Sequence, residues 1–224
     1  MVSIYIYGIT TFWVERRHNC YMRVAENIMW DESVSGLERT IRSIFLELEH
    51  LGYEPVIVDT YALIVQGWLP PTYLDETKDV DIYVDEPMVV FDERVEERML
   101  ALGLSVGRSE SGGFYIEAGK PVEIVYPIHD FFVPRTLLRH VVMVEGLRVL
   151  EGHAALVAKA LDSSIEHLAP TIKVMGIVVN TQTIRNLLRS IASDVEPSRY
   201  MVARRRVEAF INEMFLAKRE GDTK

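Results

Sequence analysis

The chain has 224 residues, of which 49% are hydrophobic and 25% are charged. This is the composition of an ordinary globular protein, and the length suits one large domain or two small ones with enough apolar material for a core. The formal net charge of -9 at pH 7 argues against a general nucleic-acid coat protein, although a local basic face is compatible with it.

Cys20 is the one cysteine of the chain, so no internal disulfide is possible and a buried or inert thiol is the favoured interpretation. No apolar run approaches the roughly 20 residues of a membrane span. The N-terminus lacks a basic segment followed by a cleavage site. We therefore expect a soluble cytoplasmic protein with no membrane partner. Sparse Asn and Gln beside common Glu, Arg and Val hint at a thermophile.

Strands alternate with helices in the first part of the chain. In chain order the residue patterns predict a strand over Val2–Ile9, a helix over Ser33–Leu51, a short strand over Pro55–Val58, a short helix over Tyr61–Val65 and a loop over Leu69–Glu76. The long helix has apolar residues at three- and four-residue spacing and ends at Gly52. Residues 10–33 show no clear period and are compatible with an extra hairpin or a lid over a site.

The segment Thr77 to Val84 reads T-K-D-V-D-I-Y-V and alternates in polarity, which predicts a strand with one buried face. Asp79 and Asp81 then share the other face as an i, i+2 pair. Like charges this close repel each other, and a divalent cation is the simplest compensation; oxygen ligands suit Mg²⁺ or Mn²⁺. The alternative is a solvated strand face that carries two acids without a metal.

The later elements change in character near residue 150. The patterns predict a helix over Asp92–Leu102 and three strands over Leu104–Val106, Gly113–Glu117 and Pro121–Tyr126. A strand pair follows over Val141–Leu150, and then three helices over Gly152–Leu168, Thr181–Ser193 and Ser198–Arg219. The chain thus begins as mixed α/β structure and finishes as helices. We predict an α/β domain over residues 1–150 and a C-terminal helical region over residues 151–224.

The order of these parts resembles the nucleotidyltransferase superfamily, the fold of DNA polymerase β-like enzymes, and in particular its small prokaryotic members of abortive-infection toxin type. The matching segment, Val56 to Val84, reads V-I-V-D-T-Y-A-L-I-V-Q-G-W-L-P-P-T-Y-L-D-E-T-K-D-V-D-I-Y-V. Its A-L-x-x-x-G and T-K-D-V-D-I parts are good matches, and Glu123 in P-V-E-I-V extends the likeness. The resemblance implies an α+β fold, a nucleotidyltransferase-like mixed sheet flanked by helices and followed by a C-terminal helical region.

The resemblance also implies roles for three acids. Asp79 and Asp81 would bind two divalent ions, Mg²⁺ or Mn²⁺, that hold the triphosphate of an NTP. Glu123 would complete the second metal site and help to activate an acceptor hydroxyl; an exposed acid on a sheet face is its alternative. The implied reaction is in-line attack on the α-phosphorus with loss of pyrophosphate. Two metals about 3.5–4 Å apart suit it because they clamp the attacking and leaving oxygens.

Two positions depart from the family pattern. The family usually has Gly-Gly or Gly-Ser before the short helix, where small residues let backbone N–H groups approach phosphate, and this chain has Asp59-Thr60 there. Members often carry an arginine where this chain has Asp75. Both changes add negative charge beside an anionic substrate, although Thr60 could still supply a hydroxyl. They motivate an alternative function, a catalytically inactive nucleotidyltransferase-like module for binding or regulation.

Basic residues of the C-terminal region supply two more candidates. Val149 to Leu161 resembles the helix after the catalytic sheet of toxin-type members, where a lysine faces the nucleotide. Lys159 matches that lysine; a solvated helix lysine is the alternative. Arg199 and Arg204–Arg206 form a basic cluster that could touch nucleic acid or substrate phosphates. A solvated face paired with local acids is the favoured interpretation of the cluster.

Three other motifs carry weaker functional interpretations. His129-Asp130 resembles the His-Asp pair of metal phosphohydrolases, but the remaining histidine ligands of that class are absent. The glycine-rich Ser109–Gly113 is interpreted as a turn. His18 with Cys20 lacks a second pair of metal ligands. The sequence leaves open which nucleotide is used, whether the acceptor is RNA, a protein or a small molecule, and the oligomeric state.

Overall fold

The computed structural model describes residues 4–6, 9–12, 23–24, 32–108, 113–127 and 133–221. His18, Cys20 and His129-Asp130 lie outside these residues, as does most of the turn predicted over Ser109–Gly113. The chain divides into two compact units, Met1–Ser35 and Gly36–Lys224. The domain boundary predicted at residue 150 stays a prediction.

The described strands of the first unit form an antiparallel sheet in the order β1-β2-β3. These strands are β1 (Ile4–Ile6), β2 (Ile9–Phe12) and β3 (Arg23–Val24). The segment predicted as one strand, Val2–Ile9, therefore contains β1 and the first residue of β2. The antiparallel pairing of β2 with β3 agrees with the hairpin alternative for residues 10–33.

The second unit is built on a sheet and a set of helices. Its described strands are β4 (Val56–Ile57), β5 (Val80–Tyr83), β6 (Ser105–Arg108), β7 (Phe114–Glu117), β8 (Pro121–Val125), β9 (Val141–Val144) and β10 (Leu147–Leu150). Its described α-helices are α1 (Glu32–His50, which begins just before the unit), α2 (Asp59–Val65), α3 (Glu93–Ala101), α4 (Arg135–Leu138), α5 (Gly152–Asp162), α6 (Ala169–Val174), α7 (Thr181–Ser190) and α8 (Pro197–Gly221). Three short 3-10 helices cover Pro71–Glu76, Pro87–Phe91 and Glu166–Leu168.

The sheet of the second unit is mixed, as predicted. Its described strands lie in the order β6-β7-β8-β5-β4-β10-β9. The pairs β5–β8 and β4–β10 are parallel, whereas the other four neighbouring pairs are antiparallel. The α+β class, with helices flanking a mixed sheet and a helical region after it, is therefore the fold of this chain.

The central strand β5 corrects one prediction. Its alternating sequence predicts one buried face, but all four residues from Val80 to Tyr83 are buried. The reason is position, because β5 lies in the middle of the sheet and also contacts α2. Asp81 is therefore a buried carboxylate rather than a solvated one.

Several element ends differ from the predictions. The helix predicted over Gly152–Leu168 ends at Asp162, because Ser163 takes an extended conformation. Pro170 lies in the first turn of α6, a position where its missing N–H costs nothing. The loop predicted before the central strand is partly a 3-10 helix, and α4 was not predicted. The strand pair around Glu145-Gly146 is confirmed, and both turn residues have positive φ (48° and 86°) as a two-residue hairpin requires.

Helix α5 is the element that joins the sheet to the C-terminal helices, and it contacts α2, α7 and α8. Its first residue, Gly152, lies against the indole of Trp68, so a Cβ there would meet ring atoms at 2.2–2.6 Å. The Gln66 side chain holds this junction, since its amide donates to the Leu150 carbonyl (2.8 Å) and accepts from the Gly152 N–H (3.1 Å). The start of α5 is thereby fixed against the end of α2.

Helix α8 is held against the far end of α5 by two arginines. Arg199 pairs with Asp162, and the Arg206 guanidinium donates to the Ala160 carbonyl at 2.9 Å. The Arg199 pair agrees with the interpretation of the basic cluster as paired with local acids, whereas the Arg206 contact is to a backbone carbonyl. Of the helices that the structure describes, not one combines the length and apolar character needed to cross a bilayer.

Candidate metal centre

Three predicted carboxylates converge at the centre of the sheet. Asp81 on β5 and Glu123 on β8 are direct register partners in a parallel pair, so their side chains leave the sheet on the same side. Asp79 comes just before β5, two residues from Asp81. One carboxylate oxygen from each residue lies within 4.8 Å of the other two, a spacing at which one cation can contact all three.

The electrostatics of this cluster favour a bound cation. Burial, followed by the charges of Asp59, Asp79 and Glu123, raises the pKa of Asp81 well above its ordinary value. Burial and then the Asp59 charge raise the pKa of Asp79, while burial and then Asp79 raise that of Glu123. The ionised forms of all three are thus disfavoured without a compensating charge. The donor set, three carboxylates with one buried, fits Mg²⁺ or Mn²⁺.

Asp59 adds a fourth carboxylate near this cluster and binds a lysine. It is the first residue of α2 and has a φ of 54°, in the left-handed region. Both of its carboxylate oxygens lie 2.8 Å from the Lys159 ammonium on α5. The Lys159 side chain is only 12% exposed, so this contact is a largely buried ion pair. The two residues are 100 positions apart, so no local sequence pattern predicts this contact, although the family resemblance places both of them beside the nucleotide.

The two predicted phosphate contacts therefore both bind Asp59. Thr60 is buried, and its hydroxyl donates to the Asp59 carboxylate at 3.2 Å. Lys159 faces the same carboxylate. Asp59 and Lys159 also line a cavity of about 210 Å³ whose other walls come from Val58, Val133, Ala158, Asp162 and Ser163. The roles of Thr60 and Lys159 toward a nucleotide stay predictions.

Comparison with known proteins gives likeness at the level of fold. No protein-family model matches the chain, and no curated protein matches it in sequence. A solution structure of the antibiotic-resistance factor ANT(2'')-Ia is similar with a TM-score of 0.40 and 14% identity, over 86% of this chain and 100% of that one. A provisionally assigned nucleotidyltransferase from H. pylori has a TM-score of 0.42 and 13% identity, over 87% of this chain and 99% of that one.

A nucleotidyltransferase is therefore among the solved structures that this chain resembles. A crystal structure of ANT(2'')-Ia contains adenylyl-2''-tobramycin and is similar to this chain with a TM-score of 0.40. At such scores and identities the likeness assigns neither an activity nor a substrate. The toxin type, the thermophilic source and the cytoplasmic location stay predictions.

Proposed function

We propose that this chain is a metal-dependent nucleotidyltransferase that moves an NMP group from an NTP to an acceptor hydroxyl. The observation that carries the proposal is the convergence of carboxylate oxygens of Asp79, Asp81 and Glu123 within 4.8 Å of one another. An acid cluster with a buried member is unfavourable by itself, and the reaction requires such a cluster to hold divalent ions beside a triphosphate.

Each residue has a proposed part in this function. Asp79 and Asp81 hold the ions, and Glu123 completes their ligands beside the acceptor hydroxyl. When bound, Mg²⁺ or Mn²⁺ would neutralise the triphosphate and stabilise the developing charge on attacking and leaving oxygens. Thr60 and Lys159 contact phosphate only after Asp59 gives way, because both now face the Asp59 carboxylate. The acceptor is RNA, a protein or a small molecule.

The test is the thermal stability of wild type and Asp81→Asn with MgATP, MgCTP, MgGTP and MgUTP, each compared with magnesium alone. A ligand that binds only the folded state raises the melting temperature. We expect at least one nucleotide to raise it more in wild type than in Asp81→Asn. Glu97→Gln is the matched control, since it removes an equal charge from an exposed position on α3 and should keep the response.

An absence of any nucleotide response in wild type would overturn the proposal. An equal response in wild type and Asp81→Asn would show that nucleotide binds elsewhere. Where a response is found, release of pyrophosphate in the presence of RNA, protein or small hydroxyl compounds identifies the acceptor class.

The alternative function is a catalytically inactive binding or regulatory module. Its specific support is the Asp59–Lys159 ion pair, which places a carboxylate where phosphate would meet both Lys159 and Thr60. This alternative expects a nucleotide or metal response without pyrophosphate release from any acceptor class. The two functions are thus separated by turnover rather than by binding.

A further inference from the structure

A cleft between α7 and α8 concentrates arginines on a chain of net negative charge. It has a volume of about 360 Å³ and is lined by Arg185, Leu188, Arg189, Tyr200, Arg204 and Glu208. The α7 residues follow helical spacing of three and four, and the α8 residues are four apart, so each helix turns one face to the cleft. The cleft is a property of the fold rather than of one mobile loop.

The cleft has two more positive charges than negative ones. Three arginines and one glutamate line it, whereas the whole chain has a formal net charge of -9. The hydrogen bond from Arg185, followed by the charges of Arg185, Arg204 and Arg189, lowers the pKa of Glu208 against the opposing effect of burial. All three guanidinium groups therefore act on a single carboxylate, which can neutralise only one of them.

The contacts of the three arginines differ. Arg185 is fixed by a two-point contact with Glu208, through Nε–Oε1 at 3.0 Å and Nη2–Oε2 at 2.8 Å. Arg189 donates to the neutral Asn186 side chain at 3.1 Å. Arg204 has no hydrogen-bonded or ion-paired acid among the residues that the structure describes. Arg189 and Arg204 therefore line the cleft without a carboxylate of their own among the described residues.

The geometry points to a site for a phosphate-bearing ligand of nucleotide size in this cleft, and we propose it as a second ligand site of the protein. A terminal phosphate monoester carries about -1.5 to -2 charges at pH 7, which matches the surplus of the cleft. Guanidinium groups bind phosphate oxygens through paired N–H donors. Tyr200 and Leu188 add an aromatic and an apolar wall against which a base can pack. The volume lies in the range of small-molecule pockets, about 300–1,000 Å³.

This inference does not depend on the carboxylate cluster. None of the cleft residues belongs to the metal centre, and arginine recognition of phosphate requires no divalent ion. Binding is therefore measured in EDTA, which removes the contribution of the metal centre. Asp81→Asn should bind the cleft ligand as wild type does, so the two proposals succeed or fail separately.

The experiment compares AMP, adenosine and a short single-stranded RNA as probes, by calorimetry for AMP and adenosine and by fluorescence anisotropy for the RNA. We expect AMP or the RNA to bind wild type and adenosine to bind much more weakly. Arg204→Gln should weaken binding about tenfold, because it removes one charge-assisted contact. Arg205→Gln is the matched control, with the same charge change one residue away and outside the cleft lining.

The outcomes are decisive in both directions. Binding of AMP with this dependence on Arg204 identifies a free nucleotide as the ligand, whereas binding of the RNA alone identifies a nucleic-acid strand. Equal binding of adenosine and AMP overturns phosphate recognition. No binding of AMP or RNA, equal binding by wild type and Arg204→Gln, or an equal loss in Arg205→Gln overturns the site. Unchanged melting temperatures of both variants show that the fold is intact.

Discussion

Asp59 combines an unusual backbone conformation with a buried charge contact. A left-handed φ costs about 1–2 kcal/mol for a residue with a side chain, and Asp59 adopts one at 54°. The conformation directs its carboxylate to Lys159, with both oxygens 2.8 Å from the ammonium. The same charge raises the pKa values of Asp79 and Asp81, in each case after burial. Asp59 thus links the lysine to the metal centre electrostatically.

We predict that Asp59→Asn strengthens MgNTP binding several-fold and weakens the fold. Removing the carboxylate frees Lys159 for phosphate and lowers the negative charge beside the triphosphate. The largely buried Lys159 then lacks its partner, and an unsatisfied buried polar group costs about 1–3 kcal/mol of unfolding free energy. Calorimetry with MgATP and urea unfolding measure the two effects.

Two further variants control this prediction. Lys159→Met in the Asp59→Asn background should recover part of the stability, because no buried charge is left unpaired, and should lose the gain in nucleotide affinity. Asp59→Gly removes the same carboxylate and should also relieve the free-energy cost of the left-handed φ, since glycine adopts positive φ freely. Weaker MgATP binding by Asp59→Asn would contradict the prediction and place Asp59 among the cation ligands.

At the scale of elements, α3 shows how a single side chain starts a helix. The Asp92 carboxylate accepts from the Arg94 N–H at 3.0 Å and from the Tyr53 hydroxyl at 2.8 Å, and also pairs with the Arg94 guanidinium. The Arg94 contact, with help from Tyr53, holds the pKa of Asp92 well below its usual value. The ionised cap therefore stabilises the folded state.

Asp92→Ala should lower the unfolding free energy by about 1 kcal/mol at pH 7. Because the pKa of Asp92 is depressed in the folded state, its contribution is present above the unfolded pKa of about 4 and is lost as pH falls below it. Urea unfolding at pH 7 and pH 3 should show a smaller difference between wild type and variant at pH 3. Asp92→Asn, which keeps a neutral cap, should cost less than Asp92→Ala. Equal differences at both pH values would refute the charged-cap account.

Elements were predictable where a local pattern determines them. The alternation around Asp79 and Asp81 predicted β5, and the P-V-E-I-V run predicted β8. The resemblance added that Asp79, Asp81 and Glu123 belong to one site. What could not be predicted arises from long-range packing. The burial of β5 on both faces depends on its central place in the sheet, and the ion pair of Asp59 with Lys159 depends on how α5 lies against α2.

At the scale of the molecule, both candidate sites belong to the second compact unit, Gly36–Lys224. The carboxylates lie on the sheet, the arginine cleft lies between α7 and α8, and α5 contacts both helices as well as α2. The buried core of this unit extends from Leu37 to Ile211 among the described side chains. The helical region and the sheet therefore share one apolar interior.

We predict that residues 36–224 fold on their own, because the core lies within them, and that they keep the nucleotide-dependent rise in melting temperature. The measurement is thermal unfolding of the shortened chain beside the full chain. A chain of residues 36–150 is the comparison and tests the boundary predicted at residue 150. We expect it to lose cooperative unfolding, since α5 buries its apolar residues partly against α2. Cooperative unfolding of residues 36–150 would contradict this expectation.

The contact between Trp68 and Gly152 has an optical consequence. The indole is 9% exposed, lies against the backbone at the start of α5, and meets the His153 ring edge-on at 4.9 Å between centroids. It is a fluorophore whose surroundings change if α5 shifts, and α5 also carries Lys159. With Trp13 and Trp30 replaced by phenylalanine, Trp68 is the only remaining indole of the chain. Its emission spectrum then reports in real time whether the start of α5 shifts when a nucleotide is added.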